Sequence, residues 1–203
     1  MTQRRRFAVV WMLVALGLSS VCRVVAQEPK VEIAVGYAWV NDHGFKYPVG
    51  WTGSAVVNVT PWLGMVGEAD GNYHRDHVPD LSGYTYAGQA YTVSLHSFAA
   101  GPRANRMFSS SVAGFGQVLF GTHRIAGVPI QPFGWSQWSF LLQPGGGLSI
   151  KVSRLADVRV TVDIPLVRQE TLAHPGDLFK VDHEFHRMTR IGAGFGFRLG
   201  ERH

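Results

Sequence analysis

Three observations predict an all-β chain folded as an eight-stranded antiparallel up-and-down transmembrane β-barrel. Apolar and polar residues alternate with a period of two in segment after segment. The segments run to about ten residues, and tight connections alternate with longer ones. Beyond residue 26 no segment carries a convincing helical period. The 203 residues include 24 glycines and 12% aromatic residues, with only 16% charged. That composition suits one barrel domain and argues against disorder.

The first 26 residues stand apart. Three arginines, Arg4 to Arg6, precede an apolar stretch from Phe7 to Leu18, and small or apolar residues lead to Val24, Val25 and Ala26. This layout predicts a cleaved secretory signal peptide over 1–26 and a barrel domain over 27–203. The apolar stretch is shorter than the ~20 residues of a spanning helix. Val21 before Cys22 is not the small residue that lipoprotein signals need. Cleavage removes Arg4, Arg5, Arg6, Arg23 and the single cysteine, so the formal charge falls from +5 to about +1. The basic balance of the whole chain therefore belongs to its leader, and nucleic-acid binding is not expected.

Eight strands follow in order. VEIAVGYAW sets Val31, Ile33, Val35, Tyr37 and Trp39 opposite Glu32, Ala34, Gly36 and Ala38. WTGSAVVNV sets Trp51, Ala55, Val57 and Val59 against Thr52, Ser54 and Asn58, and LGMVGEADGNY sets Leu63, Met65, Ala69 and Tyr73 against Glu68, Asp70 and Asn72. YTVSLHSFAAG is less regular: Tyr91, Val93 and Leu95 oppose Thr92, Ser94 and His96, but Phe98 falls on the polar phase. SVAGFGQVLFGTH places Val112, Val118 and Phe120 opposite Phe115, Gln117, Leu119 and His123. WSFLLQPGGGLSIKVS opposes Trp138, Phe140, Leu142, Leu148, Ile150 and Val152 to Ser139, Gln143, Ser149 and Lys151. VRVTVDIPL opposes Val158, Val160, Val162, Ile164 and Leu166 to Arg159, Thr161 and Asp163. RIGAGFGFRL closes the set, with Gly192, Gly194 and Gly196 sharing a face with Arg190 and Arg198.

Alternation also fits a soluble up-and-down barrel around an apolar ligand, in which every side chain points the other way. Three features favour a membrane. Tryptophans fall at strand ends, Trp39, Trp51, Trp135 and Trp138 on the long-loop side and Trp62 at a tight turn, where an indole suits the headgroup level. The polar phase carries Glu32, Glu68, Asp70 and Asp163 against Lys151, Arg159, Arg190 and Arg198, an interior charge network that an eight-stranded barrel is just wide enough to enclose. The glycines of the last strand leave clearance for arginines from its neighbours.

Arg190, Gly192, Phe195 and Phe197 match the polar-x-Gly-x-x-aromatic-x-aromatic pattern of a C-terminal insertion signal. With AAGPR at 99–103 and GGGLSIKVSR at 145–154, the chain resembles the outer membrane β-barrel domain family, the small OmpA/OmpX-like eight-stranded barrels. The resemblance covers Val31 to Gly200, and departs from the family pattern in that Arg198 to His203 follow the aromatic pair. It implies a location in the bacterial cell outer membrane, with membrane lipid, the outer-membrane assembly machinery and periplasmic chaperones as partners.

The remaining chemistry is sparse. His74 and His77 in YHRDHVPD, and His183 and His186 in KVDHEFHR, are candidate metal ligands on loops, though polar loops also collect histidine for solvation. His96 beside Ser97 raises a lipid-modifying barrel enzyme, but neighbours on a strand face opposite ways, and His96 is expected in the lumen. The predicted role is structural or interactive, through an extracellular ligand at the long loops, with no catalytic residue, cofactor or metal and no wide pore. A soluble apolar-ligand carrier and a barrel enzyme are the alternatives.

Overall fold

The computed structural model describes residues 31–77, 90–127, 135–172 and 181–199. The expected signal peptide, most of the TYAGQAY and VPIQPFGW loops and Gly200 lie outside the described residues. The strands are β1 (Val31–Asp42), β2 (Phe45–Tyr47), β3 (Val49–Asn58), β4 (Leu63–His77), β5 (Ala90–Met107), β6 (Val112–Gly127), β7 (Trp135–Lys151), β8 (Ala156–Asp163), β9 (Leu166–Leu172), β10 (Val181–Arg187) and β11 (Thr189–Leu199).

They form eight walls of a closed antiparallel barrel, because β8 continues into β9, β10 continues into β11, and β2 is a short hairpin on β1. The barrel closes where β1 runs along β11, from Val31↔Leu199 to Asn41↔Thr189. Pro165 has no N–H to give the ladder and divides β8 from β9. The break is bridged by Ile164 N–H to the Pro144 carbonyl at 2.8 Å and Met188 N–H to the Pro165 carbonyl at 2.9 Å.

One end of the barrel carries three tight turns of one design. The hydroxyls of Thr60, Ser109 and Ser153 accept hydrogen bonds from the N–H three residues on, at 3.0, 3.1 and 3.0 Å. These residues hold the strand entering each turn against the strand leaving it. The connections 78–89, 128–134 and 173–180 all leave from the opposite end.

Strand registers show how the barrel sits. Followed from neighbour to neighbour around the ring, a path leaving β1 at Val31 returns to it at Asn41, a stagger of about ten residues over eight walls, or a tilt of about 40°. A level ring must therefore step back along the strand by about one residue per wall. On that reckoning Trp39, Trp51, Phe98 and Phe120 share one height, and Trp62, Phe108, Leu155 and Leu199 share another. About ten residues of tilted strand separate the two rings, about 25 Å, which is the height of the apolar band on an outer-membrane barrel.

Between these belts the outward side chains are apolar: Ile33, Val35, Val57, Met65, Val118, Leu148, Val160, Phe195 and Phe197 are all exposed. The opposite phase is buried, including Glu32, Asp70, Arg103, Asp157, Arg159, Asp163 and Arg190. The inside-out pattern is that of a barrel whose outer face avoids water.

In β5 the expected assignment of faces is corrected over the outer half. Leu95 and Ser97 point inward and are buried, while Phe98 is exposed and shares the outward phase with His96. His96 is therefore not a lumen residue. Its Nε2 meets the Tyr73 hydroxyl at 3.2 Å, and the two rings pack edge to face. The cause is an apolar plug inside the long-loop mouth, where Leu95 joins Val40, Tyr47, Leu141, Val167 and Met188, with Val93 and Ile125 packed against it. Apolar residues there face inward, so hydrophobicity alone misassigns that end of the strand. The glycines of β11 differ from expectation as well: the space beside Gly194 is taken by the β1 backbone at Gly36, and that beside Gly196 by the Asp157 carboxylate, rather than by arginines.

Candidate functional site

Two features hold the polar chemistry of the described residues, an interior network and a cluster at the long-loop rim. Inside, β11 delivers Arg190 to the centre of the lumen. Its guanidinium donates to Asp70 Oδ2 at 2.6 Å, to Asp163 Oδ2 at 2.8 Å and to Glu68 Oε1. Three carboxylates from β4 and β8 thus converge on one cation. A planar guanidinium with five N–H groups suits this arrangement, where a lysine would serve only part of it.

Nearer the tight turns, Arg159 donates to Glu32 Oε2 at 2.6 Å, and Arg198 to Asp157 Oδ2 at 3.1 Å. Asp157 Oδ1 also stands 3.6 Å from Arg159 Nε, which joins the two pairs. Asn58 donates to Glu32 at 3.0 Å and Asn105 to Asn58 at 3.0 Å, extending the layer around the wall.

The sequence-predicted residues Glu32, Glu68, Asp70, Arg159, Asp163, Arg190 and Arg198 all take part in these contacts. Lys151 does not: among the described residues it forms no ion pair, and Asp157, across the β7–β8 ladder from it, faces Arg198 and Arg159 instead. Sequence reasoning missed Asp157 and Arg103. Arg103 donates twice to Gln117 Oε1, at 3.0 and 2.6 Å, and lies 4.2 Å from the Phe115 ring centre. Gln117 and Gln143 then donate to Asp163 and Glu68, at 3.4 and 2.8 Å. The signal for Arg103 was available, since its phase continues from Ser97 through Ala99 and Gly101; the misread half of β5 hid it.

These side chains close the lumen. A cavity of about 30 Å³ persists between Arg103, Arg159 and Gly192, room for about one water. Among the described residues the apolar plug fills the mouth above it. Beneath the plug, Ser97 Oγ meets His123 Nδ1 at 3.0 Å. The Asp70 carboxylate also contacts Ser97, so the acid reaches the serine and not the histidine. This order is not a nucleophile, base and orienting acid in series.

Of the expected aromatic belt, Trp51 lies across Gly71, whose missing side chain leaves room for the indole. Trp62 is exposed at its turn, Trp39 is half-buried, and Trp138 is exposed with the Arg124 guanidinium 5.8 Å from its ring. The Trp135 side chain lies outside the described residues. Of the proposed insertion signal, Arg190 and Gly192 face inward, while Phe195 and Phe197 are exposed on the outer face.

At the rim, β1 turns into β2 through His43 and Gly44, both with positive φ, 45° and 102°. The Asp42 carboxylate receives His186 Nε2 from β10 as a close hydrogen-bond partner and His43 Nδ1 at 3.4 Å. The two imidazole centroids are 4.7 Å apart. His74 packs edge-on against Tyr47 at 5.7 Å, and the His183 side chain lies outside the described residues. Among the described residues His186 joins Asp42 and His43, a grouping that sequence distance conceals.

No known protein family matches the chain, and no curated protein does. Solved structures do. Ail, the attachment invasion locus protein of Yersinia pestis, solved with the heparin analogue sucrose octasulfate, aligns over 85% of this chain and 99% of its own, at 18% identity and a TM-score of 0.55. Neisserial surface protein A aligns over 83% of this chain and 96% of its own, at 13% identity and a TM-score of 0.59. The chain has the fold of these small eight-stranded outer-membrane barrels of the OmpA/OmpX-like type.

Proposed function

We propose that this chain is an integral protein of the bacterial outer membrane, a rigid barrel that carries interaction loops on its long-loop side. The observation that carries the reading is the pair of outward apolar belts about 25 Å apart around a sealed, ion-paired interior. The sealed lumen argues against a wide pore, and the order of the Ser97, His123 and Asp70 contacts gives no support to an enzyme.

On this reading residues 1–26 direct export and are removed. Arg190, Gly192, Phe195 and Phe197 present the closing strand to the assembly machinery, and periplasmic chaperones deliver the unfolded chain. The Trp39, Trp51 and Trp62 indoles sit at the headgroup levels, and Trp138 stands beyond the Trp51 belt toward the loops. Binding of a heparin analogue by Ail supports, by analogy of fold, an extracellular ligand at the loop end here.

The test is fractionation of cells producing the full chain, with electrophoresis of heated and unheated samples. The barrel is expected in the outer-membrane pellet after a carbonate wash, without the leader, and with a mobility that changes on boiling. Release by the wash and a single heat-independent band would overturn the proposal.

A further inference from the structure

We propose that Asp42, His43 and His186 form a zinc(II) site at the rim of the barrel. The donor atoms, one carboxylate oxygen and two imidazole nitrogens, lie within 4.8 Å of one another. Imidazole nitrogen with a single carboxylate is a donor set that suits zinc, and three protein ligands leave one position for water.

The distances are close to what such a site needs. With bonds of about 2.0–2.1 Å, two ligands of a tetrahedral zinc stand about 3.3–3.4 Å apart. His43 Nδ1 and Asp42 Oδ1 are already 3.4 Å apart. His186 Nε2 is nearer, because it hydrogen-bonds the same oxygen, and a small outward movement of its ring would admit the ion. That movement is available: the His186 side chain is 28% exposed and that of His43 is 65% exposed.

Two further features bear on the site. The turn from Asp42 to Phe45 has two central residues, and the first of them, His43, is left-handed. Asn, Asp or Gly are the usual occupants of that position. A histidine there turns back onto the His186 ring instead of away from it. The site also spans a gap in the hydrogen-bonded wall, because β1 pairs β11 only up to Thr189 while β10, carrying His186, pairs β9. An ion bound here would tie the β1–β2 hairpin to the β9–β10 hairpin where no backbone ladder does.

The competing account is a metal-free clip, an Asp42–His186 hydrogen bond and nothing more. Two substitutions separate them. Asp42→Asn keeps an oxygen acceptor for His186 but removes the carboxylate ligand, and His43→Asn suits the left-handed turn better while deleting an imidazole.

Untagged full-length protein, folded in detergent and stripped with EDTA, is titrated with zinc sulfate by calorimetry, and cobalt(II) chloride reports geometry by its visible spectrum. One zinc per chain and a tetrahedral cobalt spectrum are expected, with each variant weakening binding by about tenfold or more while its heat-dependent mobility is unchanged. His74→Asn, outside the donor set, should bind as the parent does. Absence of stoichiometric zinc uptake by the parent, or undiminished uptake by both rim variants, would overturn the proposal.

Discussion

Arg190 shows how much one residue organises. It is 3% exposed and receives three carboxylates that would otherwise repel one another in a space closed to solvent. Removing one partner of a buried pair destabilises by about 3–5 kcal/mol, because the remaining charges lose their compensation. Arg190→Met should therefore lower barrel stability by about that amount in urea titrations of detergent-folded protein. Lys151→Met, at a position without an ion pair among the described residues, should shift the midpoint little. Equal effects would show that the network does not centre on Arg190. The acids were legible from strand phase; Asp157 was not, because it falls where a tight turn was expected, and neutral partners such as Gln117 and Gln143 carry no charge signal at all.

At the scale of the element, β5 is the instructive strand. A period of two states which residues share a face but not what that face meets. In most strands polar meant inward, and the rule failed where Leu95 enters the plug with Val40, Leu141 and Val167. Only the register across neighbouring strands resolves it. His96→Phe, on the outer face beside Tyr73, should therefore fold and retain its heat-dependent mobility. Ser97→Phe, one residue on, places a ring against His123 and Asp70 and should reduce the folded fraction in the same electrophoretic assay. Tolerance of Ser97→Phe with loss of folding in His96→Phe would reverse the assigned phase. The tight turns were easier to read: residues 60–61 announced one, and the hydroxyl device at Thr60, Ser109 and Ser153 repeats it three times.

For the whole molecule, the eight walls and their direction were legible because alternation recurs at nearly every strand and the loops segregate by length to the two ends. The rim cluster was not, since Asp42 and His186 are 144 residues apart and meet only because the chain closes on itself. The belts were read in part: the tryptophans were visible, but Phe98, Phe120, Phe108 and Leu155 join them only once the stagger is known. The central claim is that the outer face between the belts is in contact with hydrocarbon. Nitroxide labels on single cysteines at Val35, midway, and at Trp51 and Trp62, at the two belts, test it most directly in reconstituted bilayers. Collisions with oxygen should dominate at Val35, with a water-soluble nickel chelate gaining access at Trp51 and Trp62. Equal nickel access at all three positions would contradict the account.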